Sequence, residues 1–216
     1  MINVLVLCDD LWHPAEVIEL GLSTLEGDKF HFVYVKAAKD VLTPERIAEY
    51  PVIICCKGNV VTSFNNAPWF EEGVTEVCPK EFGEYVNAGG GFISLHSGNT
   101  ARAGSDMNAL IGNQFKGHPP RCAVDVKITG KHAIVEGVSD FHIRDEHYQI
   151  DVDVDDATEL FRTYSEKGGE QVGGYVCDRG EGRLCVLTPG HCADVFYNPA
   201  FNKILANAID WCAKKI

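Results

Sequence analysis

The sequence lacks several patterns that identify common kinds of site. None of its nine cysteines forms a Cys-x-x-Cys pair, so we expect neither a structural zinc cluster nor a thioredoxin-like redox site. It also lacks a long apolar run, because the first one, residues 2–8, ends at Asp9 and is far too short to span a bilayer. No basic residue precedes that run, and we therefore expect no signal peptide.

Positive charge is scarce. The chain has 19 Lys and Arg against 31 Asp and Glu, which gives a formal net charge of −12. Nucleic acids and anionic membranes attract clustered basic residues, so we expect neither of them as a partner. Several cysteines lie inside apolar runs, as buried thiols do in a reducing compartment, and this favours a cytoplasmic protein. These cysteines are Cys8, Cys55, Cys56 and Cys185.

The pattern of the first hundred residues predicts a parallel sheet. The chain of 216 residues is 45% hydrophobic and 23% charged, which suits one α/β domain over residues 1–216. Nearly continuous apolar runs are typical of parallel strands covered on both faces, and helical patterns between them complete βαβ units. The runs are residues 2–8, 30–35, 52–56 and 91–96, and the helices begin near Pro14, Thr43 and Pro79.

The second half of the chain has a different pattern. Turn residues separate five predicted strands at residues 123–128, 148–154, 159–165, 171–177 and 183–187. Residues 178–182 predict a hairpin turn, and a final helix begins at Asn198-Pro199 with one apolar face. We therefore predict an α/β fold with a parallel core and an antiparallel extension in the C-terminal half.

The strongest local motif is Leu95-His96-Ser97-Gly98, at the end of a predicted strand. It has the shape of a strand–turn–helix elbow, whose apex residue faces a crevice. Ligands of open α/β sheets bind beyond the carboxyl ends of the strands, which is where His96 would lie. The alternative is a histidine that only hydrogen-bonds a neighbouring loop.

Four other segments place polar groups beside predicted strands. A single histidine is more often structural than functional, but functional residues gather on loops that a rigid scaffold holds. Five such segments together therefore indicate a site. The four are His13-Pro14, Gly117-His118-Pro119-Pro120, Asp145-Glu146-His147-Tyr148 and Gly190-His191.

Five motifs follow one another in a fixed order from about residue 90 onwards. They are Leu95-His96-Ser97-Gly98, His132-Ala133-Ile134-Val135-Glu136-Gly137-Val138, Asp145-Glu146-x-Tyr148, Gly182-Arg183-Leu184-x-x-Leu187-x-Pro189-Gly190-His191 and Phe201-x-x-x-Leu205-x-Asn207-Ala208-Ile209-x-Trp211. With this order and spacing the chain resembles the ThuA-like (trehalose-utilisation) proteins. The resemblance implies a class I glutamine amidotransferase-like scaffold, which is a three-layer α/β/α sandwich with a flavodoxin-like core. It also implies a role in the use of trehalose or related sugars, including keto sugars.

The elbow departs from the amidotransferase pattern. Glutamine amidotransferases of this class carry Cys-x-Gly there, whereas this chain carries His96-Ser97-Gly98. Their thioester route needs a thiolate beside a base, so we expect no glutaminase activity. A residual hydrolase that uses Ser97 or a displaced cysteine as its nucleophile stays open. The adjacent His96 would make a poor base for Ser97.

Two mechanisms stay open for hydrolysis or isomerisation of a carbohydrate. In the first, His96, Glu146 and His191 hold a divalent metal such as Zn, Mn or Fe. In the second, His96 forms an acid–base pair with Glu146 or His191, and Asp145 and Tyr148 assist. Taken together, the two mechanisms give these five residues catalytic roles.

A further group is expected to contact the substrate, and His118 is also considered as a metal ligand. The group comprises His13, Ser97, Asn99, His118 and Trp12. Four aromatic residues could line a pocket, with core packing or a subunit contact as the alternative: Trp12, Trp69, Phe64 and Phe70. The remaining histidines, His31, His132, His142 and His147, are assigned to surface or structural roles.

A noncatalytic sugar-binding or accessory protein is the alternative to an enzyme. It would be a degenerate amidotransferase scaffold, and it predicts a pocket without convergent titratable groups. In either case we expect a small-molecule carbohydrate as the ligand and a homo-oligomer, because α/β domains of this size often bury an apolar loop between subunits.

Overall fold

The computed structural model describes residues 1–59 and 68–216, without the side chains of residues 39 and 40. Phe64, one of the predicted pocket aromatics, lies outside the described residues. The strands are β1 (Ile2–Leu7), β2 (Phe30–Val35), β3 (Val52–Cys55), β4 (Gly91–Leu95), β5 (Asn113–Gly117), β6 (Cys122–Ile128), β7 (Phe141–Asp145), β8 (Gln149–Val152), β9 (Thr158–Ser165), β10 (Gly169–Arg179) and β11 (Gly182–Leu187). The α-helices are α1 (Ala15–Leu22), α2 (Ala38–Val41), α3 (Pro44–Ala48), α4 (Pro79–Asn87), α5 (Asp106–Ile111), α6 (Ala193–Tyr197) and α7 (Pro199–Cys212).

A nine-stranded sheet runs through the centre of the described residues, in the order β2-β1-β3-β4-β11-β10-β9-β6-β7. The pairs β2–β1, β1–β3, β3–β4 and β4–β11 are parallel, as the continuous apolar runs predict. The pairs from β11 to β7 are antiparallel, and β5 pairs with β8 in a small second sheet. The predicted parallel core with an antiparallel extension is confirmed.

Helices cover both faces of the sheet because successive residues of a strand point to opposite sides. Val4 and Val6 of β1 belong to a core with α1, α6 and α7, whereas Leu5 and Leu7 belong to a second core with α3, α4 and α5. These two cores make the predicted three-layer arrangement. None of the helices in the described part of the chain is long and apolar enough to cross a membrane.

The ends of several elements follow from local sequence chemistry. Thr43 accepts a hydrogen bond from the backbone N–H of Arg46, and Pro44 takes the first helical position of α3. Asn198 caps α7 in the same way. In the hairpin, Arg179 pairs with Gly182, and Gly180 turns the chain with a positive φ of 55°. The predicted hairpin turn is therefore confirmed.

Some elements are not predicted by the sequence patterns. They are α2, α5, α6, β5 and β7. The described helices among them are four to six residues long, which is too short for a helical period to show. In β7, exposed His142 and Arg144 lie between less exposed neighbours, so a short edge strand looks like a polar loop in the sequence.

The parallel half of the sheet places four chain segments at one edge. The strands β1, β3, β4 and β11 are neighbours and run in the same direction, so their carboxyl ends lie side by side. The segments that begin at Cys8, Cys56, His96 and Thr188 follow these four ends. This is the edge where ligands bind in open α/β sheets.

Candidate metal centre

His96 occupies the apex of a tight turn directly after β4. Its backbone has a positive φ of 46°, which is uncommon for a residue other than glycine, and a 3-10 helix of residues His96–Asn99 follows. Gly98 allows the close approach of the neighbouring strand β3, since a Cβ there would lie 2.1 Å from the carbonyl oxygen of Cys55. The predicted elbow is present, with a 3-10 helix in place of an α-helix.

The ring of His96 has a fixed orientation. Its Nδ1 lies 2.9 Å from the carbonyl oxygen of Thr188. Because a carbonyl only accepts, Nδ1 is the donor, and the lone pair of the neutral ring is on Nε2. That atom lies 3.5 Å from Oε2 of Glu146. Burial lowers the pKa of His96 below its ordinary value, although Glu146 and Asp145 oppose this, and this keeps the ring neutral.

His13 is held by a turn that Asp10 organises. Oδ1 of Asp10 lies 2.7 Å from Nδ1 of His13 and accepts the backbone N–H groups of Trp12 and His13, while Oδ2 accepts the N–H of Gly58. Burial alone would lower the pKa of His13, but the hydrogen bond with Asp10 and the negative charges of Asp10 and Glu146 raise it to about 9. The Nε2 atom faces Glu146, with 3.9 Å between it and Oε2.

His191 is positioned through the buried carboxylate of Asp145. That carboxylate accepts the backbone N–H of Gly190 at 2.7 Å and of His191 at 3.0 Å. The loop after β11 is thereby tied to the end of β7. Burial raises the pKa of Asp145, while His96 and the backbone N–H donors oppose the increase. Nδ1 of His191 lies 3.2 Å from Oε2 of Glu146.

Glu146 is the point where these side chains meet. One ligand atom each from His13, His96, Glu146 and His191 lies within 4.8 Å of the other three. Burial would raise the pKa of Glu146, but His13, His191 and His96 lower it well below its usual range, so the carboxylate is ionised. A cluster of three imidazoles and one carboxylate could hold a metal ion.

Three ring nitrogens in this cluster lack hydrogen-bond partners among the described residues. They are His13 Nε2, His96 Nε2 and His191 Nδ1, and all three are buried. A buried polar atom without a partner carries a free-energy cost of about 1–3 kcal/mol. Three such nitrogens that face one carboxylate oxygen are consistent with a site that binds a cation. The sequence named His96, Glu146 and His191 as metal ligands, and the geometry adds His13, which the sequence assigned to substrate contact.

A cavity of about 650 Å³ opens over the cluster. Nε2 of His118 lies 3.5 Å from Oε2 of Glu146, and Nδ1 donates to the carbonyl oxygen of Pro119 at 3.0 Å. The ring of Tyr148 lies between those of His118 and His96, at centroid distances of 5.3 and 4.1 Å. The lining residues are Asp10, Trp12, His13, Gly58, Ser97, Thr100, Phe115, His118, Glu146, Tyr148 and His191.

Three of the predicted site residues make structural contacts instead of facing the cavity with free polar groups. The amide of Asn99 is buried and donates to the carbonyl oxygen of Leu187 at 2.9 Å. The carboxylate of Asp145 is engaged with the loop of His191. Ser97 lines the cavity, but its hydroxyl donates to the carbonyl oxygen of Cys56 at 2.6 Å. Each of these groups holds the edge of the sheet together.

The other predicted pocket aromatics lie elsewhere. Trp69 and Phe70 line a separate cavity of about 270 Å³, together with Lys57 and Thr100. Thr100 also lines the main cavity, so the two lie side by side. The side chain of Trp69 is itself buried in the second core.

The histidines assigned to structural or surface roles lie outside the cluster. His147 is buried between the hydroxyls of Ser165 and Thr163, and His142 and His31 form exposed pairs with Asp125 and Glu26. His132 caps a 3-10 helix of residues Ala133–Val135.

Two positioning groups were not predicted. Asp10 is signalled only by an Asp-x-x-His spacing after a strand, and nothing in the sequence indicates that the carbonyl of Thr188 meets His96.

Comparisons with known proteins agree with this architecture. The family model ThuA, described as trehalose utilisation, matches residues 4–212. A ThuA-like protein from Parabacteroides merdae is 17% identical, with a TM-score of 0.75 and coverage of 99% of this chain and 90% of that one. A second, from Bacteroides uniformis, is 18% identical, with a TM-score of 0.73 and coverage of 98% and 91%.

A third solved structure is titled a cytoplasmic protein from Salmonella typhimurium LT2. It is 14% identical, with a TM-score of 0.65 and coverage of 99% of this chain and 98% of that one. The search of the curated proteins found no match. At these identities the likeness to solved structures shows the fold, which is consistent with the class I glutamine amidotransferase-like type.

Proposed function

The chain belongs to the ThuA (trehalose utilisation) family, and from this premise we propose that it is a cytoplasmic enzyme that hydrolyses or isomerises trehalose or a related sugar, including a keto sugar. In this proposal a divalent metal is held by His13, His96, Glu146 and His191. The family supports the assignment of a sugar as substrate, and the geometry of the four side chains supports the assignment of a metal.

One observation carries the metal assignment. Three buried ring nitrogens without hydrogen-bond partners face one ionised carboxylate oxygen. The rings of His13 and His96 are each held through Nδ1, by Asp10 and by the carbonyl of Thr188. Metal-ligating histidines are oriented in this way, with the second nitrogen engaged by a carboxylate or a carbonyl. The noncatalytic alternative predicts a pocket without convergent titratable groups, which is not the arrangement found.

The donor set suits zinc, manganese or iron, because imidazole and carboxylate are ligands of all three. Such an ion supplies Lewis acidity, which polarises a carbonyl or hydroxyl oxygen. The chain's own groups then act on the sugar. Burial, with the negative charges of Glu146, Asp10 and Asp145, raises the pKa of Tyr148, so its hydroxyl keeps its proton and donates to a sugar oxygen. His118, whose Nδ1 is held by the carbonyl oxygen of Pro119, offers its Nε2 as a hydrogen-bonding group for a sugar hydroxyl.

Metal analysis of the purified protein tests the assignment. We expect about one equivalent of metal in the wild type after incubation with zinc, manganese or iron and removal of the excess, and little in His96→Ala and His191→Ala. His142→Ala is the matched control, because His142 is exposed and pairs with Asp125. A folded wild type that retains none of the three metals would overturn the metal assignment.

A metal-free form of the same site is the second candidate. The raised pKa of His13 favours it, because the proton on His13 then takes the place of a cation beside Glu146. Acid–base catalysis by the histidines and Glu146 would remain. Turnover of trehalose or a keto sugar by protein stripped with a chelator would support this form, and turnover restored only by added metal would contradict it.

The absence of glutaminase activity remains a prediction. His96 stands where a nucleophilic cysteine would be, and burial raises the pKa of Cys55, the thiol beneath the elbow, to about 12. The hydroxyl of Ser97 is committed to the carbonyl oxygen of Cys56, which also disfavours Ser97 as a nucleophile. A homo-oligomer and the lack of a nucleic-acid or membrane partner likewise remain predictions.

A further inference from the structure

Trp12 is an exposed indole at the main cavity. About 52% of its surface is accessible, whereas the other two tryptophans, Trp69 and Trp211, are 1% and 7% exposed. Exposure of so large an apolar side chain is unfavourable in water. When such a side chain lines a cavity, it is available to cover part of a ligand.

The backbone of Trp12 is fixed although its side chain is exposed. Its N–H donates to Oδ1 of Asp10 at 3.0 Å, and that same oxygen holds the ring of His13. The indole and one ligand of the candidate metal centre therefore belong to a single hydrogen-bonded turn. This arrangement fixes the backbone from which the indole extends, next to one ligand of the cluster.

The described lining of the cavity contains carboxylates and histidines but no long basic side chain. Its described lining includes the carboxylates of Asp10 and Glu146 and no Lys or Arg, and the sequence of residues 60–67 contains no Lys or Arg either. The neighbouring cavity is lined by Lys57, whose ammonium is engaged by the carbonyl oxygens of Asp9 and Lys36, and by the exposed Arg102. A phosphate or carboxylate on the ligand would find no Lys or Arg in this described lining to pair with.

We propose that Trp12 is the platform on which an uncharged sugar ring packs, with the hydroxyls of the sugar directed at the Glu146 cluster. One face of a pyranose presents C–H groups, and packing it on the indole removes apolar surface from water on both sides. The aromatic residues Phe115 and Tyr148, which also line the cavity, provide further apolar surface. This inference rests on the proposed function. Trp12 provides the apolar platform, and the lack of Lys and Arg in the described lining favours neutral rings over phosphorylated ones.

Calorimetric titration of the metal-loaded protein tests the platform. The probes are trehalose, a keto derivative of trehalose and its 6-phosphate, and the proteins are the wild type, Trp12→Phe and Trp12→Ala. We expect a neutral sugar to bind Trp12→Ala about 10-fold more weakly than the wild type and Trp12→Phe within about 3-fold. We expect the phosphate to bind more weakly than its neutral parent. Tyr197→Ala is the matched control, because Tyr197 is a similarly exposed aromatic residue that is not among the lining residues.

Tryptophan fluorescence gives an independent readout, because Trp12 is the one strongly exposed tryptophan of the three. The neutral sugar should change the emission of the wild type and leave that of Trp12→Phe unchanged while calorimetry still reports binding. If Trp12→Ala binds the neutral sugar as tightly as the wild type, the platform is wrong. If the 6-phosphate binds better than its parent, the preference for neutral rings is wrong. In both cases the proposed enzyme stands. If the wild type binds none of the probes, the sugar assignment fails, and the platform fails with it.

Discussion

Oδ1 of Asp10 lies 2.7 Å from Nδ1 of His13, on the side of the ring opposite to Glu146. This contact sets which nitrogen of His13 faces the cluster. It also joins the loop after β1 to the loop after β3, because the other oxygen of the same carboxylate accepts the N–H of Gly58. Asp10 is therefore a positioning residue for the candidate metal centre.

Asp10→Asn is expected to weaken metal binding by about 10- to 100-fold, the usual effect of losing such an outer partner. An amide N–H that faces Gly58 meets another donor. An amide N–H that faces Nδ1 of His13 is accepted only by the tautomer with its proton on Nε2, and that nitrogen then cannot bind a metal. Competition with a chelator measures the affinity, and circular dichroism confirms that the variant is folded. Asp125→Asn, which alters the exposed pair with His142, should bind metal like the wild type. Unchanged affinity in a folded Asp10→Asn would show that Asp10 has no positioning role.

The close contact of β3 with the elbow predicts a large effect of Gly98→Ala. A Cβ at Gly98 would lie 2.1 Å from the carbonyl oxygen of Cys55, and neither backbone can move without disturbing β3 or the turn of His96. We expect the free energy of unfolding to fall by more than about 2 kcal/mol. Gly83→Ala in α4 is the control, because a Cβ there meets nothing within 4 Å, and it should stabilise by about 0.5–1 kcal/mol. Similar unfolding midpoints for the two variants would contradict the clash.

The raised pKa of His13 predicts a pH dependence of stability in chelator-treated protein. The pKa rises from 6.5 to about 9 on folding. A group whose pKa is raised on folding contributes stability that is complete below the unfolded value and is lost as the pH rises through the folded value. The free energy of unfolding should therefore decline between about pH 6.5 and pH 9, by at most about 3 kcal/mol. In His13→Gln this part of the decline should be missing, and equal slopes in denaturant titrations of the two proteins would rule out the charged His13.

Much of the fold can be predicted because its signals are local. The runs of β1, β3 and β4 are apolar on both faces, and each strand ends one residue earlier than the pattern predicts, where the chain turns away at Cys8, Cys56 and His96. Strand ends also bring His96 and His191 to one edge, since β4 and β11 are parallel neighbours. This much of the site follows from the order of the strands.

The rest of the site depends on contacts between distant parts of the chain. Nothing local to Asp145 indicates that its carboxylate binds the N–H groups of Gly190 and His191, 45 and 46 residues away. The catalytic role of Asp145 and the substrate contact of Asn99 stay predictions from residue type and spacing. The structure adds that the amide of Asn99 is buried and donates to the strand carbonyls of Ser94 and Leu187. Residue type and spacing identify candidates, but only the packed chain shows which atoms of each side chain remain free.

The carboxylate of Asp145 supplies the last prediction, which separates positioning from catalysis. In Asp145→Asn one oxygen still accepts, but the amide nitrogen faces a backbone N–H and leaves it buried without a partner, which costs about 1–3 kcal/mol of stability. The loop of His191 should loosen, so metal affinity should fall together with stability, whereas a variant of a purely catalytic residue would lose turnover and keep both. Denaturant unfolding and chelator competition on the same samples measure the two quantities. Asp194→Asn, on an exposed residue of α6 three positions after His191, is the control. Wild-type affinity and stability in Asp145→Asn would show that Asp145 has no positioning role.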